Sequence, residues 1–275
     1  MGQALIVAVF SIKRPRLLQL ALLASIVLFA APVAAQQLSA DEIIQRANLA
    51  SYYAGQDGKA DVKMTIIAKG GIERVREFTL LRLSETNGDQ KFYTYFKAPA
   101  DVYKMAYLVW KNVGGNDDRW LWLPALNLKK RIAPGDKRTS FVGSDFLYED
   151  VSGRSPLEDV HRLIDETADN YIIENVPKDP SAVEFAHYRV QIDKQTFLPM
   201  LAEYYDQAGQ LYRRVAALKV EQIQGFPTVV VAEASDLISG SVTRNEFSNI
   251  SYNIGLNAQI FTERFLRRPP REVAY

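Results

Sequence analysis

The chain has 275 residues, 48% hydrophobic and 24% charged, with Lys+Arg 33 against Asp+Glu 32 and a formal net charge of +1. That is the composition of an ordinary globular protein; it excludes a disordered, collagenous or multi-span membrane chain, and it leaves no global basic field for nucleic acid. The absence of cysteine excludes a disulfide framework, a thiol nucleophile, a thiolate metal site and lipid attachment to Cys.

Lys13, Arg14 and Arg16 precede the apolar run Leu17 to Val33, which ends in Val33-Ala34-Ala35. A membrane anchor would share this pattern, but the charge-free stretch falls short of the ~20 residues that cross a bilayer. Residues 1–35 are therefore expected to be an export signal cleaved before Gln36. Its loss removes three positive charges and leaves a mildly acidic single domain, 36–275, with no linker of Gly, Ser or Pro and no long repeat.

Ser39-Ala40-Asp41-Glu42 reads as a capping box, and Ile43, Ala47, Ala50 and Ala54 recur at helical spacing, so an amphipathic helix is predicted over about 39–54. From Lys59 the period changes to two. Runs of β-branched and aromatic residues follow at 60–68, 72–83, 91–97, 105–111, 119–123, 128–133, 161–167, 171–176, 184–193, 200–205, 210–222, 227–237 and 241–252. Allowing for merged segments, they predict about ten to twelve strands, mostly antiparallel because the connections are too short for crossover helices. Between Ala133 and His161 the pattern breaks. There Ser144 is expected to cap one short helix reaching Val151, and Ser155-Pro156-Leu157-Glu158 to start another.

Phe92–Phe96, Ala106–Trp110 and Trp120–Leu123 are apolar or aromatic on both parities. Either protein covers both faces of these strands, or one face lines an apolar hollow. No HExxH, GxSxG, Walker or GxGxxG motif is present, and the two histidines, His161 and His187, have no metal-binding spacing. Cofactors are not expected. Asp145, Glu149, Asp150, Glu158 and Asp159 have the chemistry of a calcium site or an acid/base pair, but beside Ser144 and Ser155 they read better as solvated helix starts. Lys129, Lys130 and Arg131, with Lys137 and Arg138 nearby, read as a protected strand edge or as a surface for phosphate head groups or an acidic partner protein.

Asp118-Arg119-Trp120-Leu121-Trp122-Leu123-Pro124 and Phe141-Val142-Gly143-Ser144-Asp145-Phe146-Leu147-Tyr148-Glu149-Asp150 resemble motifs of the LolA-like family, in its outer-membrane lipoprotein-sorting branch. Phe261-Thr262 before Pro269-Pro270 is a weaker match. The resemblance implies a mainly β fold, an incomplete antiparallel barrel with an N-terminal helix and a short helical lid. It also implies a non-enzymatic, monomeric periplasmic carrier of lipid or lipidated protein, working between an inner-membrane transporter and an outer-membrane acceptor. A filled interaction module docking on such a transporter is the alternative. On one strand parity, Met64, Ile66, Phe78, Leu80, Phe92, Phe96, Tyr107, Val109, Trp120 and Trp122 are expected to line the cavity, with Phe141, Phe146, Leu147 and Tyr148 in the lid. The family's lid-closing Arg-Pro pair has no clear equivalent, and Arg82 is the nearest candidate.

Overall fold

The computed structural model describes residues 37–274; the expected export segment and its cleavage point lie outside the described residues. α1 (Ala40–Tyr52) starts on the capping box: Glu42 N donates to Ser39 Oγ at 3.2 Å, and Ser39 N donates to the Glu42 carboxylate at 2.8 Å. Two of the amides that a helix start leaves free are thereby satisfied.

The strands are β1 (Asp57–Ile67), β2 (Glu73–Ser84), β3 (Gln90–Ala98), β4 (Ala106–Lys111), β5 (Asp118–Leu123), β6 (Leu128–Ile132), β7 (Asp159–Glu166), β8 (Asn170–Pro177), β9 (His187–Asp193), β10 (Pro199–Tyr205), β11 (Leu211–Ile223), β12 (Phe226–Asp236) and β13 (Ser241–Tyr252). All pair antiparallel in one 13-stranded sheet ordered β6-β5-β4-β3-β2-β1-β13-β12-β11-β10-β9-β8-β7. The count exceeds the expected ten to twelve because no runs merge. Tight turns keep long neighbours apart, as at Gly225 and Gly240, whose φ values of +85° and +72° suit glycine.

The sheet is open: β6 and β7 are its two edges, and consecutive in the chain. The segment joining them, residues 133–158, carries α2 (Tyr148–Ser152) and a 3-10 turn at Pro156–Glu158. Ser144 does not cap a helix as expected. Its hydroxyl donates to Phe141 O at 2.7 Å inside a tight turn, and α2 begins four residues later, where Leu147 N donates to the Asp150 carboxylate at 2.7 Å.

The aromatic strands β2–β5 are covered on both faces. On one, Phe78, Phe96, Tyr107 and Val109 pack with Phe141 and Tyr148 of the lid. On the other, Leu81, Tyr93, Leu108, Trp120 and Trp122 pack beneath the C-terminal segment, which carries α3 (Arg264–Arg267) and α4 (Arg271–Ala274), through Ile260, Phe261, Leu266 and Val273. Tyr93 Oη and Trp110 Nε1 each donate to a carbonyl of that segment, Phe265 O and Phe261 O, at 2.7 Å. Two-sided apolarity in these strands therefore reflects two protein covers.

The C-terminal cover is tied down by one carboxylate. Asp57, buried at the start of β1, accepts from the amides of Ile254, Gly255 and Leu256 at 2.7, 2.9 and 2.8 Å. Replacing Asp57 with Ala leaves three amides without their acceptor and is expected to cost about 3 kcal/mol or more. Chemical denaturation, read together with exposure of Trp110 and Trp122 by fluorescence, checks this; an unchanged midpoint would contradict the assignment.

Candidate functional site: a roofed apolar cavity

The strand register defines the concave face. Ile66, Thr243, Ala234, Val215, Ala202, Val190 and Ile173 form one continuous row across β1, β13, β12, β11, β10, β9 and β8. α1 lays Ile43 and Ala47 on the β8–β10 part of this face, against Ile173, Val190, Ile192 and Tyr204. The lid covers the β1–β4 part. Between α1, the lid and the sheet lies a cavity of about 470 Å³, within the ~300–1,000 Å³ typical of small-molecule sites.

Its wall is formed by Ile44, Ala47 and Ser51 of α1, by Phe141 and Phe146 of the lid, and by inward residues of the sheet. On the sheet side many are small: Ala60, Ala202, Val215, Ala217 and Ala232. The hollow persists where inward side chains are too short to meet α1, and it closes where aromatics fill the space.

Of the expected lining residues, Met64, Phe78, Leu80 and Phe92 face the cavity, with Phe141 and Phe146 from the lid. Ile66, Phe96, Tyr107 and Val109 share the face but are buried in the packed core beneath the lid. Tyr148 joins that core, its ring centroid 5.2 Å from that of Tyr107, while Leu147 is half-buried at the start of α2. Trp120 and Trp122 are a correction. Successive strand residues face opposite ways, and in β5 it is Leu121 that faces the lid-side core, leaving both tryptophans on the opposite face under the C-terminal segment. The wall contributed by α1 and β10–β13 was missed, although the alanines of β10–β12 were a signal of vacated volume.

The lid is held by charge. Glu149, 2% exposed, accepts from Lys137, Arg138 and Arg154 at 3.0, 2.6 and 3.4 Å. Burial alone would raise its pKa, but the three cations hold it down at about 2. Arg154 continues to Asp159 at 2.7 Å and Arg138 to Glu184 at 2.7 Å. Asp150 pairs with Arg213 of β11, and Asp145 accepts from the hydroxyls of Ser241 and Thr243 on β13. Lys111 of β4 donates to Ser152 O and Gly153 O at 2.6 and 2.7 Å, its own pKa lowered to about 8 by burial against the pull of Asp117. The acidic cluster is thus an anchor for the lid, and Glu149 is not the solvated carboxylate expected. Among the described residues no group of three His, Asp or Glu side chains has the arrangement of a metal site. His161 is occupied structurally, with its ring nitrogens 2.7 Å from Asn175 Oδ1 and 2.9 Å from Pro156 O.

Lid and helix also touch directly. A Cβ at Gly153, at the end of α2, would lie 2.5 Å from the ring of Tyr52 in α1. Arg82, on the concave face of β2, donates to Ala54 O and Gly55 O just past α1, and so fastens the helix end to the sheet. Lys129, Lys130 and Arg131 lie exposed on edge strand β6, where Lys129 pairs with Glu263 and Arg131 with Asp118.

An open antiparallel sheet whose concave face is roofed by an N-terminal helix and a lid defines the LolA-like class of half-barrels. A family model described as "Uncharacterized protein" matches residues 88–268, so the chain belongs to that family, and solved structures share its fold. A DUF1329 family protein from Desulfovibrio piger is 29% identical with a TM-score of 0.76, over 82% of this chain and 97% of that one. A domain named as an outer membrane lipoprotein-sorting protein, from Vibrio parahaemolyticus, is 26% identical with a TM-score of 0.75, over 83% and 98%. A LolA superfamily protein from Nitrosomonas europaea shares the fold at 19% identity and a TM-score of 0.64, over 83% and 100%. No curated protein matches the sequence.

Because the folded-state pKa of Glu149 is depressed, its contribution to stability is complete above its ordinary value near 4.5 and is lost as pH falls toward about 2. Glu149→Gln is expected to lower stability at neutral pH by about 3 kcal/mol, as removal of one partner from a buried ion cluster does, and to flatten the acid limb of the stability curve. Thermal melting from pH 7 to pH 2 checks both; an acid limb identical to that of the unaltered protein would refute the role of Glu149.

Proposed function

We propose that the protein is a non-catalytic periplasmic carrier that shelters the acyl chain of a lipid or lipidated protein in the roofed cavity while it crosses the envelope. The observation that carries this reading is the cavity itself, a vacant apolar volume of about 470 Å³ in the concave face of a LolA-like half-barrel. Each acyl methylene removed from water is worth ~0.8 kcal/mol, so a sixteen-carbon chain represents on the order of 12 kcal/mol of gross driving force. Such a chain crosses water only inside a shelter.

Release requires a roof that opens. Here the roof is fastened by ion pairs and hydroxyl contacts together with two cavity-facing rings, Phe141 and Phe146, whose apolar contacts an acyl chain can replace. The lipoprotein-sorting name of the Vibrio relative supports the same class of cargo. In this reading residues 1–35 are the export signal and 36–275 the single carrier domain. The donor is a transporter of the inner membrane and the acceptor a protein of the outer membrane.

Protein purified without detergent should release lipid to organic solvent and bind a hydrophobic fluorescent probe saturably. Ala217→Trp, which fills the open volume from the floor, is expected to weaken probe binding at least tenfold while leaving the melting temperature within a few degrees, since Ala217 lines the cavity and lies outside the packed clusters. No extractable lipid together with no saturable binding would sink the proposal.

A further inference from the structure

Resting on the carrier reading, we infer that the cargo is an anionic amphiphile, its carboxylate or phosphate held beneath the lid turn by Arg76 and Asn245 while its chain occupies the cavity.

The placement follows from register. Arg76 of β2 pairs with Met64 of β1, and Met64 pairs with Asn245 of β13. The three form one row of the concave face. Met64 and Asn245 both line the cavity, as do Phe78 and Arg82 on the same parity of β2 as Arg76. Arg76 and Asn245 are therefore two strand spacings apart, about 10 Å, and face the same side. A long arginine side chain and one anionic group fill that span.

Both are buried, and neither is satisfied. Arg76 is 8% exposed, and its Nε and Nη1 have no hydrogen-bond partner; Asn245 is 8% exposed, and its Oδ1 likewise has none. Among the described residues Arg76 forms no ion pair. The acid whose charge it feels, Asp101, does not bond to it, and Arg74 nearby adds like charge. The other buried arginines of the lid and the concave face have partners: Arg138 and Arg154 are each matched by more than one carboxylate, Arg213 pairs with Asp150, and Arg82 donates to the Ala54 and Gly55 carbonyls. A guanidinium buried without a counter-charge is costly, and it is common only where a ligand supplies the charge. Its planar donors suit a carboxylate or phosphate. The Asn245 amide rotates about its terminal bond and so can present its NH₂ to the same group.

The lid covers this spot with its most strained turn. Phe141-Val142-Gly143-Ser144 is closed by Ser144 N donating to Phe141 O at 3.1 Å, and Val142, a β-branched residue, has φ +52° beside Gly143 at +76°. Arg76 Nη2 lies 3.7 Å from where a Gly143 Cβ would stand. The turn backbone thus sits directly over the guanidinium, and strain of this kind is retained chiefly at functional contacts.

The test compares amphiphiles with the same sixteen-carbon chain: palmitate at pH 8, lysophosphatidic acid, and the uncharged monoacylglycerol, each titrated into detergent-free protein. The unaltered protein is expected to bind at least one anionic ligand tenfold or more tightly than the neutral one, and Arg76→Gln to bring that ratio close to one. Preference for palmitate identifies the carboxylate, and preference for lysophosphatidic acid the phosphate. Without ligand, Arg76→Met is expected to melt no lower than the unaltered protein, because it removes an uncompensated buried charge; a large fall in melting temperature would give Arg76 a structural role and overturn the inference. Equal affinity for charged and neutral ligands, or a preference that survives Arg76→Gln, would also overturn it while leaving the carrier reading intact. Failure of all three ligands to bind would count against the carrier reading itself.

Discussion

β6 and β7 follow each other in the chain yet stand at opposite edges of the sheet, so the segment between them has to cross the concave face. Every other strand connection is a local turn between neighbours. This single long crossing makes the lid, and with α1 it explains why the open sheet encloses volume without closing into a barrel. A sheet of thirteen twisted strands curls; the crossing converts the curl into a compartment. The first strand then pairs with the last, β1 with β13, placing the start and end of the domain at the middle of the floor.

A crossing loop of this length has little regular structure of its own, and it is fixed here by charges at defined points. Glu149 meets three cations, Asp150 meets Arg213, Asp145 meets two hydroxyls, and Lys111 holds the far end of α2. Breaking one of these contacts leaves a buried charge exposed to a poor environment, so the roof has a well-defined closed position. Apolar packing alone would be less specific about position and would compete directly with an acyl guest.

Filled and vacant halves of the concave face differ in side-chain size. Phe78, Phe96, Tyr107, Phe141 and Tyr148 interlock on the β2–β4 side with ring centroids 5.0–6.3 Å apart. Over β10–β12 the inward alanines and valines stop short of α1. Arg76 and Asn245 each carry side-chain atoms without hydrogen-bond partners and stand together in one row at the junction of the two halves.

The capping box, the alternation of the strands and the break between Ala133 and His161 were legible in the sequence, because each rests on neighbours a few residues apart. The acid-rich lid stretch was legible as a motif, but the burial of Glu149 among Lys137, Arg138 and Arg154 was not, since Lys137 and Arg138 reach it only once the loop folds back. The sidedness of Trp120 and Trp122 likewise depended on the C-terminal segment returning across the far face, and no local periodicity encodes that return. Sequence alone determined which segments would be strands and that something would interrupt them. Only the tertiary structure decided which parity faced the hollow, which half was filled, and which buried charge was left without a partner, because each of these depends on contacts between residues far apart in the chain.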